Sequence, residues 1–171
     1  MTNALEKEQI PEYTGKHGMR EVQKTLSAIW RGYSRRLAGS GVEPVYSPTK
    51  NESAKYFLMR EIYALGRQLI SEKPSFDPED LVAMMRDQPT TRPDVSPGPF
   101  HALFMAVYKE NDPISRSERW LMARELKYAY RHNISPELLC GFLLQSGTRK
   151  EINKKLDNDY IEPAFRHLLA E

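Results

Sequence analysis

Almost everywhere that apolar residues cluster in this chain they return every three or four positions, a period that builds helix faces; only residues 42–46, in a Gly- and Pro-marked loop, offer at most a short extended piece. Val22, Leu26, Ile29, Tyr33 and Leu37 form one such stripe, ending near Gly39. Tyr56, Phe57, Met59, Ile62, Tyr63, Leu65, Leu69 and Ile70 form a second, opened by a capping-box pattern at Thr49 and Glu52. Asp77 as N-cap, Pro78 at the first helical position and Glu79 and Asp80 behind it start a shorter helix through Met85. Residues 100–108 read as a short apolar helix, Ser115 with Glu118 caps a long one through Tyr130, and Ser135, Pro136 and Glu137 start another. The fold expected is all-α: a compact single-domain helical bundle of about six helices over residues 16–171. Residues 1–15, rich in Glu and without period, are expected to be a poorly ordered tail.

Proline divides this bundle. Pro89, Pro93, Pro97 and Pro99 forbid helix over residues 88–99, leaving a loop or hinge between two similar halves, about 49–88 and 113–146. At one constant offset Ser53, Lys55, Tyr56, Arg60, Glu61, Ile62 and Arg67 match Ser117, Arg119, Trp120, Arg124, Glu125, Leu126 and Arg131. Such a match suggests a duplicated helix pair; the alternative is that well-capped amphipathic helices resemble one another.

Composition removes several classes of function. A single cysteine closes no intramolecular disulfide and is too few for a thiolate metal site; Cys140, among Leu138, Leu139, Phe142 and Leu143, is expected to pack as a small hydrophobe. The four histidines lie in separate segments without metal-ligand spacing, and His132 beside Arg131 is expected to complement a helix C-terminus. Gly39, Ser40 and Gly41 lead into no phosphate-binding helix start, and no nucleophile stands beside a base. The expectation is a non-enzymatic protein without cofactor or metal. The longest apolar stretch, residues 138–144, is far short of the roughly 20 residues of a membrane span, and the polar N-terminus is no secretory signal, so a cytoplasmic location is expected.

A formal net charge of +2 conceals an uneven distribution. Arg20, Lys24, Arg31 and Arg35 recur on a face distinct from the apolar stripe of the first helix, with Arg36, Lys16 and His17 extending its basic character and Trp30 and Tyr33 beside the cations. Near the C-terminus, one helix, the turn Gln145, Ser146 and Gly147, and a second helix from Thr148 follow in the order of a helix-turn-helix. Phe142 stands where a tight motif carries a small residue. On the second helix Arg149, Lys150, Asn153 and Lys154 are candidates for phosphate or base contacts, with Ile152 and Leu156 facing inward. The function expected is nucleic-acid binding, regulatory or accessory, through these basic helical surfaces. The competing expectation is a protein-binding adaptor or inhibitor with a groove lined by Tyr56, Tyr63, Trp120, Tyr128 and Tyr130.

Overall fold

A computed structural model describes residues 19–39, 53–71 and 98–169. They form six α-helices: α1 (Met19–Ala38), α2 (Ala54–Ser71), α3 (Pro99–Ala106), α4 (Arg116–Arg131), α5 (Leu139–Ser146) and α6 (Arg149–Asp157). A 3-10 turn, Pro136–Leu138, leads into α5, and another, Pro163–Leu169, follows α6. No strand occurs among the described residues, and the all-α bundle expected from the apolar period is the fold observed. No described helix is long and apolar enough to cross a membrane. The helix start at Asp77, the Thr49 and Glu52 pattern, the 42–46 piece, the 1–15 tail and residues 88–97 of the Pro-rich loop lie outside the described residues.

The helix ends show why the chain breaks where it does. Ser53 caps α2, its Oγ accepting the Tyr56 N–H at 3.3 Å. Pro99 supplies the first turn of α3, where a missing N–H costs nothing. Ser115 caps α4 by accepting the Glu118 N–H at 3.2 Å, but the Glu118 carboxylate turns away to Lys55 and Arg149, leaving the box half made. The constant offset between the halves aligns Ser53, a cap, with Ser117, inside α4. Leu58, Met59, Ile62 and Leu65 are buried, as are their counterparts Met122, Ala123, Leu126 and Ala129, whereas buried Tyr63 aligns with exposed Lys127.

The core gathers around α2, which packs against α1, α3, α4, α5 and the 3-10 turn before α5. Two helical glycines set its closest approaches: a β-carbon on Gly32 of α1 would stand 2.6 Å from the Phe57 ring, and one on Gly66 would stand 2.5 Å from the Phe100 ring. At the far end of α2, Tyr63 donates to the Ile134 carbonyl at 2.7 Å, and Arg67 reaches the same carbonyl and, at 3.0 Å, the Asn133 side chain. Asn133 carries the left-handed backbone (φ 51°) that ends α4, a conformation asparagine tolerates better than most residues. Cys140 is buried in the core, as expected.

Two polar centres lie inside this apolar frame. In the first, Arg119 and Asp112, both with fully buried side chains, form an ion pair at 2.8 Å. Arg119 also donates to the Phe104 and Ile114 carbonyls, while Asp112 accepts from the Tyr33 hydroxyl at 2.8 Å and the Ile114 N–H at 2.9 Å. Burial and then the bond to Asp112 hold the Tyr33 hydroxyl far above its ordinary range. The second centre is His132, expected to complement the α4 C-terminus; it does so through the last-turn Tyr128 carbonyl, but fully buried among Tyr128, Phe142 and Phe165 and not as a cation. Its Nδ1 lies 2.8 Å from the Tyr128 carbonyl, and its Nε2 accepts the Glu162 N–H at 2.9 Å. A ring that must donate at one nitrogen and accept at the other is neutral, and burial pushes its pKa below the ordinary 6.5.

These centres generate two predictions. Asp112→Ala leaves a buried guanidinium without its charge partner and is expected to cost about 3–5 kcal/mol, whereas Tyr33→Phe, which removes one bond to a charged acceptor, is expected to cost about 1.5–3 kcal/mol; urea unfolding measures both. Because the folded pKa of His132 is depressed, the unfolded chain takes up the proton first, so the stability it confers is present above pH 6.5 and lost as pH falls below it. Urea midpoints between about pH 7 and pH 5 are expected to fall, with a slope that His132→Gln reduces, since a side-chain amide still accepts the Glu162 N–H without titrating.

Candidate nucleic-acid interface

The amphipathicity of α1 determines which of its charges reach solvent. Val22, Leu26, Ile29 and Tyr33 are almost wholly buried and Leu37 packs against them, so this side of the helix faces the protein. At 3.6 residues per turn Arg20, Lys24, Arg31 and Arg35 fall within an arc of about 60° opposite that side and extend along about 22 Å of helix axis. All four are exposed. Arg36 departs from them: its Nη1 donates to the Gly32 carbonyl at 3.2 Å and its guanidinium lies 3.8 Å from the Phe57 ring centroid, against α2. Lys16 and His17 lie outside the described residues.

The second basic segment is organised differently. Its order of helix, turn and helix is present as α5, Gly147 and α6. Gly147 has φ 120°, open to few other residues, and a β-carbon there would stand 2.7 Å from the Glu151 carboxylate that completes the next cap. Thr148 and Glu151 form a full capping box, the side chain of each accepting the backbone N–H of the other. That reciprocal bonding holds the Glu151 carboxyl below its ordinary range.

Beyond the cap, α6 turns two of its four candidate residues toward the protein. Arg149 donates to Glu125 at 3.2 Å and to Glu118 at 3.4 Å, and Lys55 of α2 meets the same Glu118 oxygen at 3.1 Å. Burial works to raise the Glu118 pKa, but the donors and charges of Lys55 and Arg149 outweigh it and the net shift is downward; at the more buried Glu125 desolvation wins and the shift is upward. Asn153 donates to the Arg149 carbonyl at 2.9 Å and accepts from Arg124, which also binds Asp157. Arg149 and Asn153 therefore join α6 to α4, and the exposed candidates of this segment are Lys150 and Lys154. Their neighbours in solvent include Glu151 and Asp157, so the outer face of α6 is mixed in charge. Ahead of the turn, Leu138 of the 3-10 segment and Leu144 of α5 are exposed.

The fold thus leaves the nine candidate residues in two groups. On α1 a run of four cations is presented as a stripe, while on α6 the cations alternate with acids or serve packing. Lys155, not singled out in the sequence, anchors the C-terminal 3-10 segment by donating to the Ser146 carbonyl at 2.7 Å and to Glu162 at 2.5 Å. Sequence reasoning also passed over Lys109 and Arg116, exposed in and after the connector between α3 and α4, where they cover Trp30 and Tyr108 respectively. Trp30 beside the α1 cations was the visible half of that signal. The aromatic groove expected of an adaptor is not assembled, because Tyr63 and Tyr128 are fully buried, their hydroxyls bonded to the Ile134 carbonyl and to Glu162. Comparison with known proteins finds no matching family model, no similar curated protein and no similar solved structure.

Proposed function

We propose that this protein binds nucleic acid through the phosphate backbone, with the outer face of α1 as the principal contact. One observation carries this reading: Arg20, Lys24, Arg31 and Arg35 form a single exposed stripe on a helix whose opposite face is buried. A rod of fixed cations suits a linear polyanion, because each phosphate it neutralises releases condensed counterions. The apolar face of α1 is already occupied by the core, so the helix has no hydrophobic side to insert into a bilayer. The same geometry favours backbone contact over base readout, since four parallel cations match charge and carry no donor-acceptor pattern. The mechanism is binding, without a chemical step.

About four phosphate contacts correspond to a log-log salt slope near −3 to −4 on duplex, or about a 100-fold loss of affinity between 50 and 200 mM salt. Fluorescence anisotropy with labelled DNA and RNA measures it. Arg20→Glu with Arg31→Glu is expected to leave the helical circular dichroism intact, remove most of the binding and flatten the slope. Absence of binding at about 50 mM salt, or binding indifferent to both salt and the double substitution, overturns the reading.

A further inference from the structure

The fold covers three half-buried aromatic rings with cations, one ring on α1, one in the connector after α3 and one on α4. Lys109 Nζ lies 5.5 Å from the Trp30 ring, the Arg116 guanidinium 5.1 Å from the Tyr108 ring, and the Arg124 guanidinium 5.0 Å from the Trp120 ring. The couples are contiguous: Tyr108 and Lys109 are neighbours in the chain, and Arg116, Trp120 and Arg124 stand one turn apart along α4. At about 100° per residue Trp30 lies between the apolar face of α1 and its cation stripe, packed in part against the core, so this band begins on the flank of that helix.

We propose that the band from Trp30 across Tyr108 to Trp120 is a track for single-stranded nucleic acid, on which bases stack against the rings while Lys109 and Arg116 move to phosphates. The inference rests on the nucleic-acid reading above and specifies the form of nucleic acid. Lys109 and Arg116 are exposed and the rings half-buried, Trp30 packing in part against the core and Tyr108 lying 5.3 Å from the buried Arg119 guanidinium, so a planar base would take the place of the outer cation on the solvent side of each ring. At the Trp120 end the surface is hollowed into an open depression of about 440 Å³ lined by Arg116, Ser117, Trp120 and Leu121, room for a base beside the indole. Arg124 stays with Asn153 and Asp157 and keeps its guanidinium against Trp120 as a fixed border. Glu110, exposed beside Lys109, is the acid that borders the track. Alternating rings and cations are what sequence-tolerant recognition of a single strand requires, because every base offers a π-face and only an unpaired base can present it. In a duplex the bases are stacked on one another and the track has nothing to take.

The chain has two tryptophans, and both lie on the track, so its intrinsic fluorescence reads occupancy directly. The full chain at about 50 mM salt is titrated with an oligothymidylate of about twenty nucleotides and with a duplex of the same length. The single strand is expected to quench tryptophan emission and to bind more tightly than the duplex. Trp30→Leu and Trp120→Leu are each expected to weaken the single strand by about fivefold or more and to leave the duplex unchanged. Arg116→Ala, at an exposed position, is expected to weaken single-strand binding and lower its salt slope even where a tryptophan variant folds poorly. Equal or tighter binding of the duplex, or single-strand binding without a change in emission, overturns the track and leaves the α1 reading standing. No binding of either form overturns both.

Discussion

Arg119 and Asp112 are the pair on which the arrangement of this bundle depends. Removing two charges from water is expensive, and a buried pair persists only where nearly every remaining donor and lone pair is also used. Here Arg119 donates to the Phe104 carbonyl of α3 and the Ile114 carbonyl of the connector, and Asp112 accepts from the Tyr33 hydroxyl of α1. Three helices and the connector between α3 and α4 are therefore fixed against one another by directional bonds in a core otherwise held by non-directional burial. Apolar packing accepts small slips in register, whereas a fully bonded guanidinium does not. The consequence for the surface is direct: Lys109 and Arg116 each stand three residues before a member of that buried pair, so the position of the outer cations is inherited from the inner one.

Much of the fold was legible because burial follows the helical period closely. The stripe Val22, Leu26, Ile29, Tyr33 was readable as an inner face and is one, and its opposite, the Arg20 to Arg35 run, is exposed. The cap at Ser115 was a local signal of the same kind, whereas Pro99, counted with the loop prolines, in fact opens α3, and the capping box of Thr148 with Glu151 was not read. What escaped was charge in the wrong place. Arg119 lies in phase with Met122, Ala123 and Leu126, and an arginine on an apolar face is a sign of a buried ion pair, but its partner stands in a connector with no period to mark it.

The surface was legible only along single helices. Spacing places Arg149 and Asn153 on the polar side of α6 but says nothing of Glu118, Glu125 and Arg124 waiting on α4, since those pairings cross between helices. The same limit hid the Trp30, Tyr108 and Trp120 band, which is assembled from α1, the connector and α4 and has no linear motif. His132 shows the limit for a single residue: its place at the end of α4 suggested a cation, yet the donor supplied by Glu162, thirty positions on, decides that it is neutral.

Gly32 carries a last consequence. The Phe57 ring fills the space where its side chain would be, and Arg36, one turn later, closes over the same ring. That ring acts as a key in a slot: α1 can neither roll about its axis nor slide by a turn without driving another residue's β-carbon into an aromatic wall. The compass bearing of the four outer cations is thus set by an uncharged residue on the flank of the helix, between them and the apolar face.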